Sequence, residues 1–146
     1  MSDFDPNSLR SMMDFVDNEE GSNTEEAVLK FVENSIFLES QAHHWHLQCG
    51  NYAKHMELNE FYEGLPEYVD SFIEGLMQTR GALVITGSSF VFQPLSSVVA
   101  VLDDYKRQCL AIHKILDSQE EFGSVNTLED IISFVDSILY KLKVLK

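Results

Sequence analysis

At 146 residues, with 45% hydrophobic and 11% aromatic residues, the chain is predicted to form one packed domain and not a disordered segment. Its 24 acidic residues against ten Lys and Arg give a net charge of −14, which argues against binding nucleic acid by neutralising phosphates. Apolar runs such as residues 98–102 are far shorter than the roughly 20 residues that a membrane-spanning helix needs.

The first 22 residues are rich in acids and are predicted to form an acidic N-terminal tail, followed by a domain over residues 23–146. Ser22 and Glu25 have the spacing of a capping box, which satisfies free backbone N–H groups at the start of a helix. Apolar residues then recur at three- and four-residue steps. This period predicts a first helix that ends at about Leu47.

A second helix is predicted over residues 52–79, after Gly50 and Asn51 have ended the first one. Pro66 lies inside this helix. Because proline lacks the backbone N–H that would donate to the preceding turn, a kink or a break is expected there.

The helical period disappears between residues 81 and 94, although the segment remains apolar. It is predicted to be an ordered connection lying over the helices, and a pair of strands is the alternative. A third helix follows over residues 95–118. Gly123 and Ser124 are predicted to break the chain, and a fourth helix is expected to begin at Asn126 and to continue to the C-terminus.

Short links join the first predicted helix to the second and the third to the fourth, and one long link joins the two pairs. This connectivity is typical of ferritin-like bundles, in which a single crossover returns the chain. The predicted fold is therefore all-α, a ferritin-like four-helix bundle with one long crossover between the second and third helices.

Four of the five histidines lie within the thirteen residues HHWHLQCGNYAKH, numbered 43 to 55. On a helix, Glu39, His43 and His46 share one stripe because they are four and three residues apart. His55 falls across the predicted turn, in the first turn of the second helix. Imidazoles in such a cluster are candidate metal ligands.

Two acids of the second helix, Asp70 and Glu74, are candidate partners of these imidazoles. Their helical angles place them beside the apolar stripe, so a site built from them would lie at the edge of the bundle, where a second subunit could close it. A set of two imidazoles and two carboxylates suits Fe²⁺, Mn²⁺ or Zn²⁺. The alternative is a solvated acidic face and histidines that only bond the last carbonyls of a helix.

The segment from His43 to Gly81 resembles the Dps family of miniferritins, and most closely the compact Dps-like proteins of bacteriophages. The resemblance lies in the short sequences His46-Leu47-Gln48, Tyr52-Ala53-Lys54-His55 and Glu60-Phe61-Tyr62, in Leu65, and in Asp70 followed by Glu74. It implies an iron-oxidising site shared by two subunits, with His46 and His55 from one and Asp70 and Glu74 from the other. His43 is an additional candidate ligand.

The ligand from the first helix is open between two histidines, because His44 precedes Trp45 as in the family motif. His46 is preferred, since it aligns without a gap to His55 and shares a stripe with His43. The lysine-rich tail with which many miniferritins hold DNA is replaced by an acidic one, so no DNA protection is expected. A complete di-iron centre within one subunit is not expected either, because the Glu-x-x-His step is absent.

Two functions follow as expectations. The first is a ferroxidase that binds Fe²⁺, or a similar metal such as Mn²⁺ or Zn²⁺, in a homo-oligomer of at least two chains. The second is a non-catalytic phage protein whose acidic surface binds a protein partner. The two cysteines and the lack of a secretion-signal pattern predict a cytoplasmic location, in a bacterium or a phage-infected cell.

Overall fold

A computed structural model describes residues 23–145 and shows an all-α protein with four helices and no strand in this range. The helices are α1 (Asn23–Gln48), α2 (Tyr52–Arg80), α3 (Val98–Ser118) and α4 (Phe122–Val144), and a 3-10 turn, Leu95–Ser97, precedes α3. The predicted acidic tail and Ser22 of the predicted capping box lie outside the described residues.

The four helices surround one apolar core, to which each of them contributes a stripe of buried side chains. Three-residue turns make α1 and α2, and α3 and α4, antiparallel neighbours. Lys141 near the end of α4 bonds Glu60 near the start of α2, so these two helices are also antiparallel. The strongest packing is that of α2 on α1 and α4, and of α3 on α4.

Helix α2 continues through Pro66, so of the expected kink or break the break is wrong, and the kink stays a prediction. Proline removes only the N–H that would donate to the Tyr62 carbonyl. Residues on both sides of it, Leu65 and Val69, are fully buried, and their packing outweighs the single missing hydrogen bond.

Helix α4 begins at Phe122, four residues before the expected start, and Gly123 and Ser124 lie in its first turn. The predicted break at these residues is therefore wrong. The chain turns at Glu120 instead, whose φ of 59° is in the left-handed region. A glycine costs little in a first turn, where backbone N–H groups lack helical partners in any case.

The segment over residues 81–94 has neither helix nor strand and runs along α1. Ser88 donates a hydrogen bond of 2.6 Å to Glu33, and Phe90 stacks on Phe37 with ring centroids 4.6 Å apart. Trp45, which is fully buried, donates from Nε1 to the carbonyl of Gln93 at 3.0 Å. These contacts order the segment, and we call it the α1 strap.

Arg80 closes the end of the bundle where α2 stops. Its guanidinium donates at 2.7 Å to both Glu121 and Gln119, beside the start of α4, and at 3.1 Å to Glu25 at the start of α1. No helix in the described part of the chain combines the length and apolarity that a membrane crossing requires. Cys49 and Cys109 are both free thiols.

Candidate metal centre

The turn between α1 and α2 brings the predicted histidines together. Asn51 caps α2, because its side-chain oxygen accepts from the Lys54 N–H at 3.0 Å. Its carbonyl accepts from the His55 N–H at 2.8 Å. These two bonds order the first turn of α2.

His46 and His55 stack on each other across this turn, with ring centroids 4.2 Å apart. His55 Nδ1 lies 3.1 Å from the backbone carbonyl oxygen of His46. Since a carbonyl oxygen only accepts, Nδ1 carries the proton, and in the neutral ring Nε2 keeps a free lone pair. A backbone contact of this kind fixes the tautomer and orientation of metal-bound histidines.

The Nδ1 atom of His46 is buried and has no hydrogen-bond partner among the described residues. Leaving a buried polar atom unsatisfied costs roughly 1–3 kcal/mol. Coordination of a cation by this nitrogen would remove the cost. The donor chemistry of His46 and His55 therefore fits a borderline divalent metal ion.

Tyr62 and His43 extend the pair into a stack of four rings. Tyr62 stacks on His43 with centroids 4.3 Å apart and on His46 at 5.6 Å. We call His43, His46, His55 and Tyr62 the histidine stack. Tyr62 was not among the predicted site residues, although its position seven residues after His55 places both on one face of α2.

His44 points to the other side of α1. It stacks on Phe92 of the α1 strap at 4.7 Å, and its Nδ1 lies 3.2 Å from the Gln41 amide nitrogen. Of the two histidines left open by the sequence, His46 is therefore the one beside His55. His113, the fifth histidine, pairs with Glu129 of α4 at 2.8 Å, away from this cluster.

The predicted carboxylates do not join the histidine stack of their own chain. Asp70 and Glu74 are exposed on α2 and lie fifteen and nineteen residues after His55, which is about 22 and 28 Å along a helix axis. Glu39 of α1 is near enough to Asp70 to sense its charge. Burial, and then the charge of Asp70, raises the pKa of Glu39.

Within residues 23–145, no group of three or more His, Cys, Asp or Glu residues is arranged to hold a metal ion. One chain therefore brings two imidazoles together, His46 and His55, with His43 beside them. Further ligands for an ion at this place have to come from outside residues 23–145 of this chain.

The fold and this cluster define an all-α bundle with a histidine stack at one helix turn. The profile of a family of unknown function, DUF5856, matches residues 46–142, and the chain belongs to this family. The matched region includes His46, His55, Asp70 and Glu74 and begins after His43. No curated protein and no solved structure matches the chain.

Proposed function

We propose that the chain is a Dps-like protein of ferritin type, which binds Fe²⁺ as a substrate at a site shared by two copies. The helix directions support this proposal. Helix α1 runs antiparallel to α2, and α2 antiparallel to α4, while the α1 strap returns the chain along α1 before α3. This is the order of ferritin-like bundles with one long crossover.

The observation that carries the proposal is the paired arrangement of His46 and His55. The Nε2 atom of His55 keeps its lone pair because its Nδ1 atom bonds a backbone carbonyl, and His46 has a buried nitrogen without a partner among residues 23–145. Both features are those of rings prepared for a cation. Two imidazoles with carboxylate oxygens suit Fe²⁺, and Mn²⁺ or Zn²⁺ as alternatives.

A second copy supplies the carboxylates in this proposal. If two α2 helices lie antiparallel about a two-fold axis between Tyr62 and Glu63, residue 55 of each faces residue 70 of the other. The exposed Asp70 and Glu74 then reach the histidine pair of the neighbouring chain. Such a contact is isologous, so each dimer has two identical sites.

The chain's residues supply charge and geometry to the reaction. The net charge of −14 attracts cations to the surface, and the imidazoles and carboxylates hold Fe²⁺ in place. Oxygen or peroxide is the oxidant in the proposed reaction. Two Fe²⁺ ions each give one electron to a peroxide, which takes up two protons and becomes two water molecules.

An anaerobic Fe²⁺ titration tests this function. We expect saturable binding that is lost in Asp70→Ala/Glu74→Ala and in His46→Ala/His55→Ala. The matched control is Asp117→Ala/Asp130→Ala, which removes two exposed acids from other helices and should bind as the parent does. Equal loss in the control would assign the binding to general surface charge.

Mixing the two double variants tests whether the site is shared. A mixed dimer has one complete site, from the intact histidines of one chain and the intact acids of the other. An equal mixture exchanged at random should therefore recover about a quarter of the parent's sites. No recovery, in a mixture shown by mass spectrometry to contain mixed dimers, would overturn the shared site.

A second candidate function is that of an interaction scaffold, in which the acidic surface binds a protein partner. It is favoured by the α1 strap, where Val84, Val91 and Phe92 are at least half exposed. Exposed apolar groups of this kind occur at protein contacts. Recovery of one stoichiometric partner in a pull-down, with no saturable Fe²⁺ binding, would select this function.

A further inference from the structure

A pocket of about 370 Å³ opens at the end of the bundle where α2 and α3 begin and α4 ends. Five apolar side chains from three helices and the 3-10 turn line it, together with two polar residues. The apolar residues are Leu58, Leu95, Val98, Val99 and Leu142, and the polar ones are Lys54 and Ser96. Its volume is at the lower end of the range for small-molecule sites.

Lys54 is not among the three of the six lysines in residues 23–145 that form a salt bridge. Lys106, Lys141 and Lys143 each form a salt bridge with an acid. Glu57, three residues after Lys54 and therefore on its side of α2, pairs with Lys141 instead. The ammonium of Lys54 has no ion pair or hydrogen bond to any residue between 23 and 145.

We propose that this pocket binds a small amphipathic carboxylate, such as a medium-chain fatty acid. The apolar side chains cover the alkyl tail. The carboxylate pairs with the Lys54 ammonium and accepts a hydrogen bond from the Ser96 hydroxyl, which is exposed. A lysine that has no ion pair within residues 23–145, beside apolar walls, is complementary to a ligand with one negative end and an apolar tail.

This site is independent of the proposed iron chemistry. No member of the histidine stack lines the pocket, although Lys54 precedes His55 in sequence. Loss of fatty-acid binding and loss of Fe²⁺ binding are therefore separable. A His46→Ala/His55→Ala variant should keep the first and lose the second.

The experiment is a calorimetric titration of the full chain with decanoate. Saturable binding with a stoichiometry of one is expected, and Lys54→Gln should weaken it at least fivefold. The matched control is Lys114→Gln, since Lys114 is an exposed lysine of α3 outside the pocket, and it should bind as the parent does. Val99→Trp, checked for folding by circular dichroism, should fill the pocket and abolish binding.

Decanol and decyltrimethylammonium separate the contribution of the charge from that of the tail. Both should bind the parent at least fivefold more weakly than decanoate does. To Lys54→Gln, both should bind with the same affinity as decanoate. The proposal is overturned if decanol binds the parent as tightly as decanoate does. It is also overturned if decanoate shows no saturable binding at about 1 mM, a concentration that detects even weak ligands.

Discussion

Helix α1 contacts its two neighbours through very different polar groups. Towards α3, Asn34 donates to Gln108 at 3.0 Å and Ser35 bonds the Tyr105 hydroxyl at 2.7 Å, and all four residues are buried. Towards α2, the histidine stack is partly exposed, its rings lie against one another, and His46 Nδ1 has no partner among the described residues.

The two contacts differ in how their polar groups are bonded within the chain. Buried polar groups that only stabilise a protein find hydrogen-bond partners within the chain. Between α1 and α3 the buried side chains bond one another, although the Asn34 Oδ1 atom has no hydrogen-bond partner among the described residues. Between α1 and α2, His55 Nδ1 bonds the His46 carbonyl, and the buried His46 Nδ1 has no hydrogen-bond partner among the described residues.

The largest effect on stability is expected from Gln108→Leu. It removes the acceptor of the buried Asn34 amide and a donor to Asp104, so the free energy of unfolding should fall by about 2–3 kcal/mol. Urea denaturation measures this change. Gln78→Leu, on an exposed face of α2, is the control and should stay within about 0.5 kcal/mol of the parent. Equal values for the two variants would contradict a structural role for the seam between α1 and α3.

His46→Leu should have a smaller effect on stability and a larger one on metal binding. The leucine removes ring stacking but also removes a buried nitrogen that has no partner in the described part of the chain, so the free energy of unfolding should change by about 1 kcal/mol or less. Fe²⁺ affinity should fall at least tenfold. A destabilisation as large as that of Gln108→Leu, with unchanged Fe²⁺ binding, would make His46 a structural residue.

The smallest effect is expected from Glu39→Gln. Burial, and then the nearby Asp70, raises the pKa of Glu39, so the ionised form is less favourable in the folded chain than in the unfolded one. Stability is therefore lost as the pH rises through this pKa. The variant should be more stable at pH 7 by about 0.5 kcal/mol. The gain should disappear below pH about 4, where the acid is protonated in both states.

Melting temperatures of the parent and of Glu39→Gln at the two pH values provide the measurement. Glu67→Gln, which removes an exposed acid of α2, serves as the control for general charge repulsion. A gain of equal size in both variants would show that Glu39 has no special position beside Asp70.

The sequence predicted the helices well because their periodic apolar residues are the ones that the core buries. The predictions from sequence were wrong where tertiary packing outweighed the preference of a single residue, or where a turn contained no typical turn residue. Pro66 did not break α2, because Leu65 and Val69 anchor both sides of it. The turn at Glu120 has no sequence signal, since a left-handed backbone is rare for glutamate.

The candidate site was predictable in part. The fifteen-residue step from His55 to Asp70 is visible in the sequence, and so is the stripe that favours His46 over His44. The packing of Phe92 of the α1 strap on the His44 ring is not visible there, because it depends on contacts between distant segments. Likewise, the stacking of Tyr62 on His43 joins two helices, and a periodicity within one helix carries no information about it.

The hydrogen bond from His55 to the His46 carbonyl also couples the unwinding of the last turn of α1 to the separation of the two imidazole rings. That carbonyl belongs to the last turn of the helix, so the imidazole ties down a terminus that would otherwise fray. When the turn unwinds, His46 leaves His55 and the two rings no longer form a pair. An ion held by both rings would favour the wound state, and amide hydrogen exchange at residues 45–48 would slow as the protein is loaded.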